Sequence, residues 1–151
     1  MHRTYENRLH ADVLQKGTDM AEFQSLEDAR AFFINDRFAF ENGLSLDEIS
    51  EGHAVTSMVL TDRHKNAEGG VMGGATFTLM DLAFAAASSC IHRPTVAQQV
   101  SVNYLNAPRG GKLIAEASCR KDGRTSCVYQ VNVTDDTGRD IAQAVFTGFK
   151  L

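Results

Sequence analysis

Only two prolines, at positions 94 and 108, occur in this chain of 151 residues, and both fall between predicted elements. The predicted strands are therefore free of the one residue that cannot donate to a ladder. Cysteine is scarce as well: three residues, an odd number, make no disulfide framework. If Asp122-Gly123 is a two-residue hairpin turn, Cys119 faces Ser126, and Cys119 and Cys127 point to opposite sheet faces. No bridge is expected there, and free thiols fit a reducing cytoplasm. The five histidines, at 2, 10, 53, 64 and 92, show no metal-ligand spacing with cysteine or with one another, so no metal site is expected. A basic excess is missing too. The net charge of −4 gives no footprint for nucleic acid, and a polyanionic ligand would need a local basic patch.

Long runs of strongly apolar residues are also absent. The stretch from Val71 to Ile91 is built mainly of Ala, Gly, Ser and Thr, with Asp81 near its middle. A central Asp costs about 2.5–3.5 kcal/mol on membrane insertion, and too few Leu or Ile residues offset it. A buried helix of a soluble protein is expected, not a membrane span. The first eight residues, Met1 to Arg8, carry no apolar signal region, so no secretion is expected.

What is present centres on that helix. Asp81 is the only charged residue between Glu68 and Arg93, and the apolar residues around it cover every face of a helix of about four turns. Such a helix is expected to be surrounded by protein, and a carboxylate in it must be paired, protonated or wet. Four glycines, at 69, 70, 73 and 74, crowd the approach.

Residues 1–24 are polar and mixed in charge. Ser25 followed by Glu27 and Asp28 resembles an N-cap with an acidic first turn, opening a short helix from about Leu26 to Ile34. Phe32, Phe33, Phe38 and Phe40 are expected to seal one end of the core. Strand patterns follow around Leu44–Ile49 and Ala54–Leu60, with a turn at Glu51-Gly52. The helix then interrupts from about Gly74 to Cys90. Four more strands follow, over Val100–Leu105, Leu113–Arg120, Ser126–Thr134 and Ile141–Phe149. Asp122-Gly123 and Asp135 to Gly138 mark hairpins. This order predicts an α+β domain with an antiparallel sheet. Ala142, Ala144, Phe146 and Gly148 share one face of the last strand, small enough for the Ala-rich helix to approach closely.

The element order, together with His64-Lys-Asn66, Gly73-Gly74 and Leu79-Met-Asp81-Leu-Ala, resembles the hotdog-fold acyl-CoA thioesterases, in particular the PaaI-like branch. The likeness runs from about Phe32 to Phe149 and includes the spacing from Asn66 to Asp81 and the stretch Val102 to Pro108. It implies a long central helix wrapped by a curved sheet of about five to six strands, one domain over residues 25–151. It also implies a homodimer or homotetramer with active sites between subunits. Two positions depart from the pattern. The family's His before Gly-Gly is Met72 here, which can neither donate a hydrogen bond nor act as acid or base. A hydroxyl that some members place on the following strand falls at Ala97, with Thr95, Gln98 and Gln99 close by.

The resemblance implies hydrolysis of a small, medium-chain or aromatic acyl-CoA, with coenzyme A as part of the substrate and no other cofactor. Asp81 then acts as base or nucleophile, Gly73 as oxyanion donor and Asn66 as positioning group. Met72, Gly74, His64 and Gln98 line the substrate. Backbone N–H groups at a helix start are unsatisfied and lie at the positive end of the dipole, and glycine admits a bulky carbonyl. Each role has a plainer alternative: Asp81 satisfied by a structural donor, the glycines serving packing, Asn66 forming a turn, Met72 filling a gap, His64 structural. Arg109, Lys121 and Arg124, on turns, are candidates for coenzyme A phosphates or are simply solvated. A non-catalytic acyl-CoA-binding module, motivated by Met72, and a hotdog dehydratase or hydratase are the rival functions.

Overall fold

The computed structural model describes residues 23–151, so the polar extension expected over 1–24 lies almost wholly outside the described residues. Helix α1 spans Leu26–Phe33. Its N-cap is Ser25, whose hydroxyl accepts from the Asp28 N–H at 3.1 Å. Helix α2 (Arg37–Glu41) is a single turn that the sequence pattern did not announce. Strands β1 (Leu44–Ser50) and β2 (His53–Val59) follow, then a 3-10 turn at Asp62–His64 and the long helix α3 (Gly73–Ser89). Strands β3 (Thr95–Tyr104), β4 (Lys112–Asp122), β5 (Ser126–Asp135) and β6 (Asp140–Lys150) complete the chain.

The six strands form one antiparallel sheet in the order β1-β2-β4-β5-β6-β3. The pairing register shifts at four places, between Leu46 and Glu48, Ala97 and Gln99, Cys119 and Lys121, and Val133 and Thr134. Bulges bend a strand and increase its twist, and these let the sheet curl around α3. The inner face presents Thr56 and Met58, Leu113, Ala115 and Ala117, Val131 and Val133, and Ala142, Ala144 and Phe146, all buried against the helix. Phe84 stacks on Phe146 at 4.9 Å between centroids and meets Tyr129 edge-on at 5.4 Å. The small-residue face of β6 does what its pattern predicts: a Cβ added at Gly148 would sit 2.9 Å from Phe84 and 2.6 Å from the Cys127 sulfur.

Three expectations need correction. Asp122 pairs with Cys127, and the Gly123 N–H donates to the Ser126 carbonyl at 2.9 Å, so Asp122 still belongs to the ladder and the β4–β5 turn falls at Arg124-Thr125 rather than at Asp122-Gly123. A two-residue type I′ turn needs left-handed backbone at both central positions, and Gly123 is not among the glycines with positive φ. The bulge before Lys121 then sets Cys119 opposite Tyr129, on the same face as Cys127, and neither of these two cysteines is in a disulfide. Second, only Phe33 of the four phenylalanines is fully buried: Phe40 is half-buried, Phe32 is 48% exposed and Phe38 is 72% exposed. Third, α3 is not enclosed on every side. Gly74, Thr78, Asp81 and Ala85, at successive turns, leave one stripe open on the single chain.

Candidate active site

The start of α3 is built by the turn before it. Asn66 accepts from the N–H groups of Glu68 (3.0 Å) and Gly70 (3.1 Å) through Oδ1, and its own N–H donates to the Gly70 carbonyl. Gly69 takes positive φ in this turn. Asn66 is thus a turn former; it is exposed, and its Nδ2 donates to no group among the described residues. His64 is buried with both ring nitrogens engaged. Nδ1 accepts from the Thr61 N–H at 3.0 Å, so the proton sits on Nε2, which donates to the Asn42 carbonyl at 2.7 Å. No ring atom is left for a ligand, and the His64 carbonyl instead anchors the Met72 N–H at 2.8 Å.

Met72 is the N-cap of α3 and offers no side-chain cap. The Ala75 and Thr76 N–H groups both donate to the Met72 carbonyl, and those of Gly73 and Gly74, at the positive end of the helix, find no acceptor among the described residues. The Met72 side chain, 54% exposed, lies beside Gly74, its Cε 3.5 Å from where a Cβ would be. From the end of β3, Tyr104 reaches across and donates its hydroxyl to the Gly73 carbonyl at 3.1 Å. Gly73, Thr76, Tyr104, Leu105 and Pro108 line a cavity of about 390 Å³ at this end. Tyr104 was not singled out in the sequence; a lone tyrosine at a strand end carries no periodic signal.

Asp81 belongs to a second cavity, of about 340 Å³, which it shares with Asp36, Phe38, Thr78, Leu82 and Ala85. Burial against this half-apolar wall, and then the negative charge of Asp36, push the Asp81 carboxyl above the ordinary carboxylate range. Asp36 is raised by burial in turn. It occupies the N-cap position of α2 but makes no capping bond. The cation in this lining, Arg37, is held by Glu41, with Nε 2.7 Å from Oε1, so it is not placed to neutralise the acid pair. Asp36 too was invisible in the sequence, because only the packing of α2 against α3 brings it to Asp81.

Gly73 and Asp81 are eight residues apart on one helix, which puts them about 12 Å apart along the axis. No single carbonyl reaches both within one chain. The structure therefore gathers Asn66, Met72, Gly73, Gly74 and Tyr104 at the start of α3 and sets Asp81 at its middle. Gln98 is the unpaired residue of the β3 bulge and is exposed. It lies six residues before Tyr104, about 20 Å along the strand from the Gly73 end. The candidate phosphate contacts are split as well. Arg109 precedes β4 while Lys121 and Arg124 lie at its far end, about 30 Å away. All three are exposed. Among the described residues no group of three His, Cys, Asp or Glu side chains is placed to hold a metal ion, and no helix is long and apolar enough to cross a membrane.

Residues 68–142 match the model of the thioesterase superfamily, and the curled six-stranded sheet around one long helix is the hotdog fold. The chain belongs to that superfamily, in its PaaI-like branch. It is 31% identical to acyl-coenzyme A thioesterase 13 from Homo sapiens, over 69% of this chain and 77% of that protein. Its fold superposes on PaaI from the phenylacetic acid degradation operon of E. coli with a TM-score of 0.75 and 28% identity, covering 82% of this chain and 90% of that one. A thioesterase protein from Streptococcus pneumoniae, solved with coenzyme A, gives a TM-score of 0.73 and 32% identity, with 80% and 94% covered.

Proposed function

We propose that this protein is an acyl-CoA thioesterase, hydrolysing a small, medium-chain or aromatic acyl-CoA to the free acid and coenzyme A, as a cytoplasmic homodimer or homotetramer. The observation that carries the reading is the division of labour along α3: two backbone donors without an acceptor among the described residues at its start and, about 12 Å further on, a carboxylate of raised pKa on the open stripe of the helix. A second copy of the chain, laid with its helix antiparallel along the open stripe, brings Asp81 of one protomer to Gly73 and Gly74 of the other. The exposed edge strand β3, which needs cover, offers the pairing surface.

In that shared site Asp81 takes a proton from a water molecule as the water attacks the thioester carbon. The Gly73 and Gly74 N–H groups receive the oxyanion, and one such donor is typically worth about 2.7–4 kcal/mol in the transition state. Collapse of the tetrahedral intermediate breaks the C–S bond. The thiolate of coenzyme A leaves, and the proton held by Asp81 goes to it or to solvent. No metal or prosthetic group takes part. Asn66, through its free Nδ2, positions the thioester or the water, and Met72 and Gln98 border the acyl group. Arg109 of one protomer, or Lys121 and Arg124, meet the phosphates of coenzyme A.

The test is a thiol-release assay across short, medium-chain and aromatic acyl-CoAs with wild type and Asp81→Asn. Turnover is expected in wild type, with kcat lowered about 10²–10⁴-fold in Asp81→Asn and binding within a few-fold. Near-normal kcat in the variant would make Asp81 structural. Met72 in place of the family histidine favours one second reading, a non-catalytic acyl-CoA-binding module. Tight binding with no turnover of any acyl-CoA by wild type would select it.

A further inference from the structure

Tyr104 lies outside every role assigned above. Its side chain does not fill the core: it is more than half exposed, yet it is aimed at one backbone group. The hydroxyl donates to the Gly73 carbonyl at 3.1 Å, and the ring lies so near that a Cβ added at Gly73 would stand 3.3 Å from Cζ. The residue is the last of β3 and pairs with Ala142 of β6, so the hydroxyl is carried by the sheet rather than by a loop.

The carbonyl it holds is not an arbitrary one. A peptide unit is planar, so the Gly73 carbonyl and the Gly74 N–H turn together. The Gly74 N–H is one of the two donors left open at the helix start. Two consecutive glycines are the backbone most free to rotate, and nothing in the Met72 side chain caps them. A bond to the carbonyl side of a peptide also polarises its N–H side.

We propose that Tyr104 is a positioning residue of the oxyanion site: its hydroxyl fixes the Gly73–Gly74 peptide so that the Gly74 N–H stays aimed, and polarised, toward the substrate carbonyl. The inference rests on the thioesterase reading above and adds a residue to it. Tyr104 touches neither the water nor the leaving group in this account; it acts through the backbone. Gly73 without Tyr104 still has its N–H, but the neighbouring donor is less well held.

The test uses the full chain carrying Tyr104→Phe, which keeps the ring and removes only the hydroxyl. A fall in kcat of about tenfold is expected, with KM within about threefold and an unchanged melting temperature. The decisive readout is spectroscopic. In the Asp81→Asn background, the infrared stretch of a bound acyl-CoA labelled with ¹³C at the thioester carbonyl is expected below its value in water. Adding Tyr104→Phe should return it part of the way. Placing 3-fluorotyrosine at 104, a stronger donor of nearly the same shape, should lower it further. An identical stretch in all three proteins, with the shift from water present, would overturn the role of Tyr104 and leave the thioesterase reading standing. A bound thioester whose stretch equals that in water in Asp81→Asn alone would overturn both, because no donor pair would then be polarising the carbonyl.

Discussion

A carboxylate facing another carboxylate across a half-apolar cavity holds its proton to higher pH than one in water, and Asp81 is in that position. Burial is the larger cause and Asp36 the smaller. Catalysis by the ionised form should therefore show an acid limb in kcat/KM above the usual carboxylate range. Asp36→Asn removes the smaller cause, so the limb should move to lower pH, which a pH–rate profile measures; an unmoved limb would mean that Asp36 does not act on Asp81. Stability has the opposite sign. A group whose folded pKa lies above its unfolded value favours the folded state when protonated, and that contribution is lost as pH rises through the folded pKa. Asp81→Asn should accordingly leave the melting temperature at neutral pH unchanged or raised.

Among the elements, the turn between β5 and β6 has the densest polar construction. Asp135 is buried, and its carboxylate accepts from the Thr137 hydroxyl at 2.6 Å and from the N–H groups of Arg109, Gly110, Thr137 and Arg139 at 2.8–3.0 Å. The Thr137 hydroxyl first, then those backbone donors, hold the carboxyl well below its ordinary range against the opposing effect of burial. A depressed carboxyl stabilises the fold above its unfolded pKa and loses that contribution as pH falls toward the folded one. Thermal melts should show wild type weakening below about pH 4. Asp135→Asn should melt several degrees lower at pH 7 and lose the steeper part of that acid dependence. Equal melting curves at pH 7 would mean that the loop carrying Arg109 is held by other bonds.

The elements also divide by how far the sequence disclosed them. Helix α3 and the small-residue face of β6 were legible, because a run of Ala and Leu and an alternation at period two are local patterns. The α+β class followed from element order. The β4–β5 register was not, since Asp-Gly announces a turn without stating the sign of φ at the glycine. Phe38 was mistaken for core because an aromatic near a helix says nothing about which side faces protein. Asp36 and Tyr104 needed tertiary packing: one comes to Asp81 through a five-residue helix, the other to Gly73 across the sheet edge. The residues at the start of α3 stood out in the sequence, whereas their separation from Asp81 emerges only when eight residues of helix are laid out in space.

At the scale of the whole molecule that separation makes the central claim, that each site takes Asp81 from one protomer and the Gly73–Gly74 donors from its partner. The measurement that tests it most directly is complementation between two inactive variants. Asp81→Asn removes the base. Gly73→Pro removes one donor at a position that suits proline: Gly73 is the first residue of α3, and Met72 before it has φ −65° and ψ 131°. The ring of Tyr104, the nearest neighbour, is exposed and able to yield. The two chains, carrying different affinity tags, are co-expressed and the mixed assembly isolated through both tags. A shared site leaves one of the two interfaces in a mixed dimer with an intact Asp81 and an intact Gly73, so roughly half of wild-type turnover should return although each parent is inactive. Mixed dimers as inactive as their parents would contradict the account, because both groups would then have to serve the same substrate from a single chain.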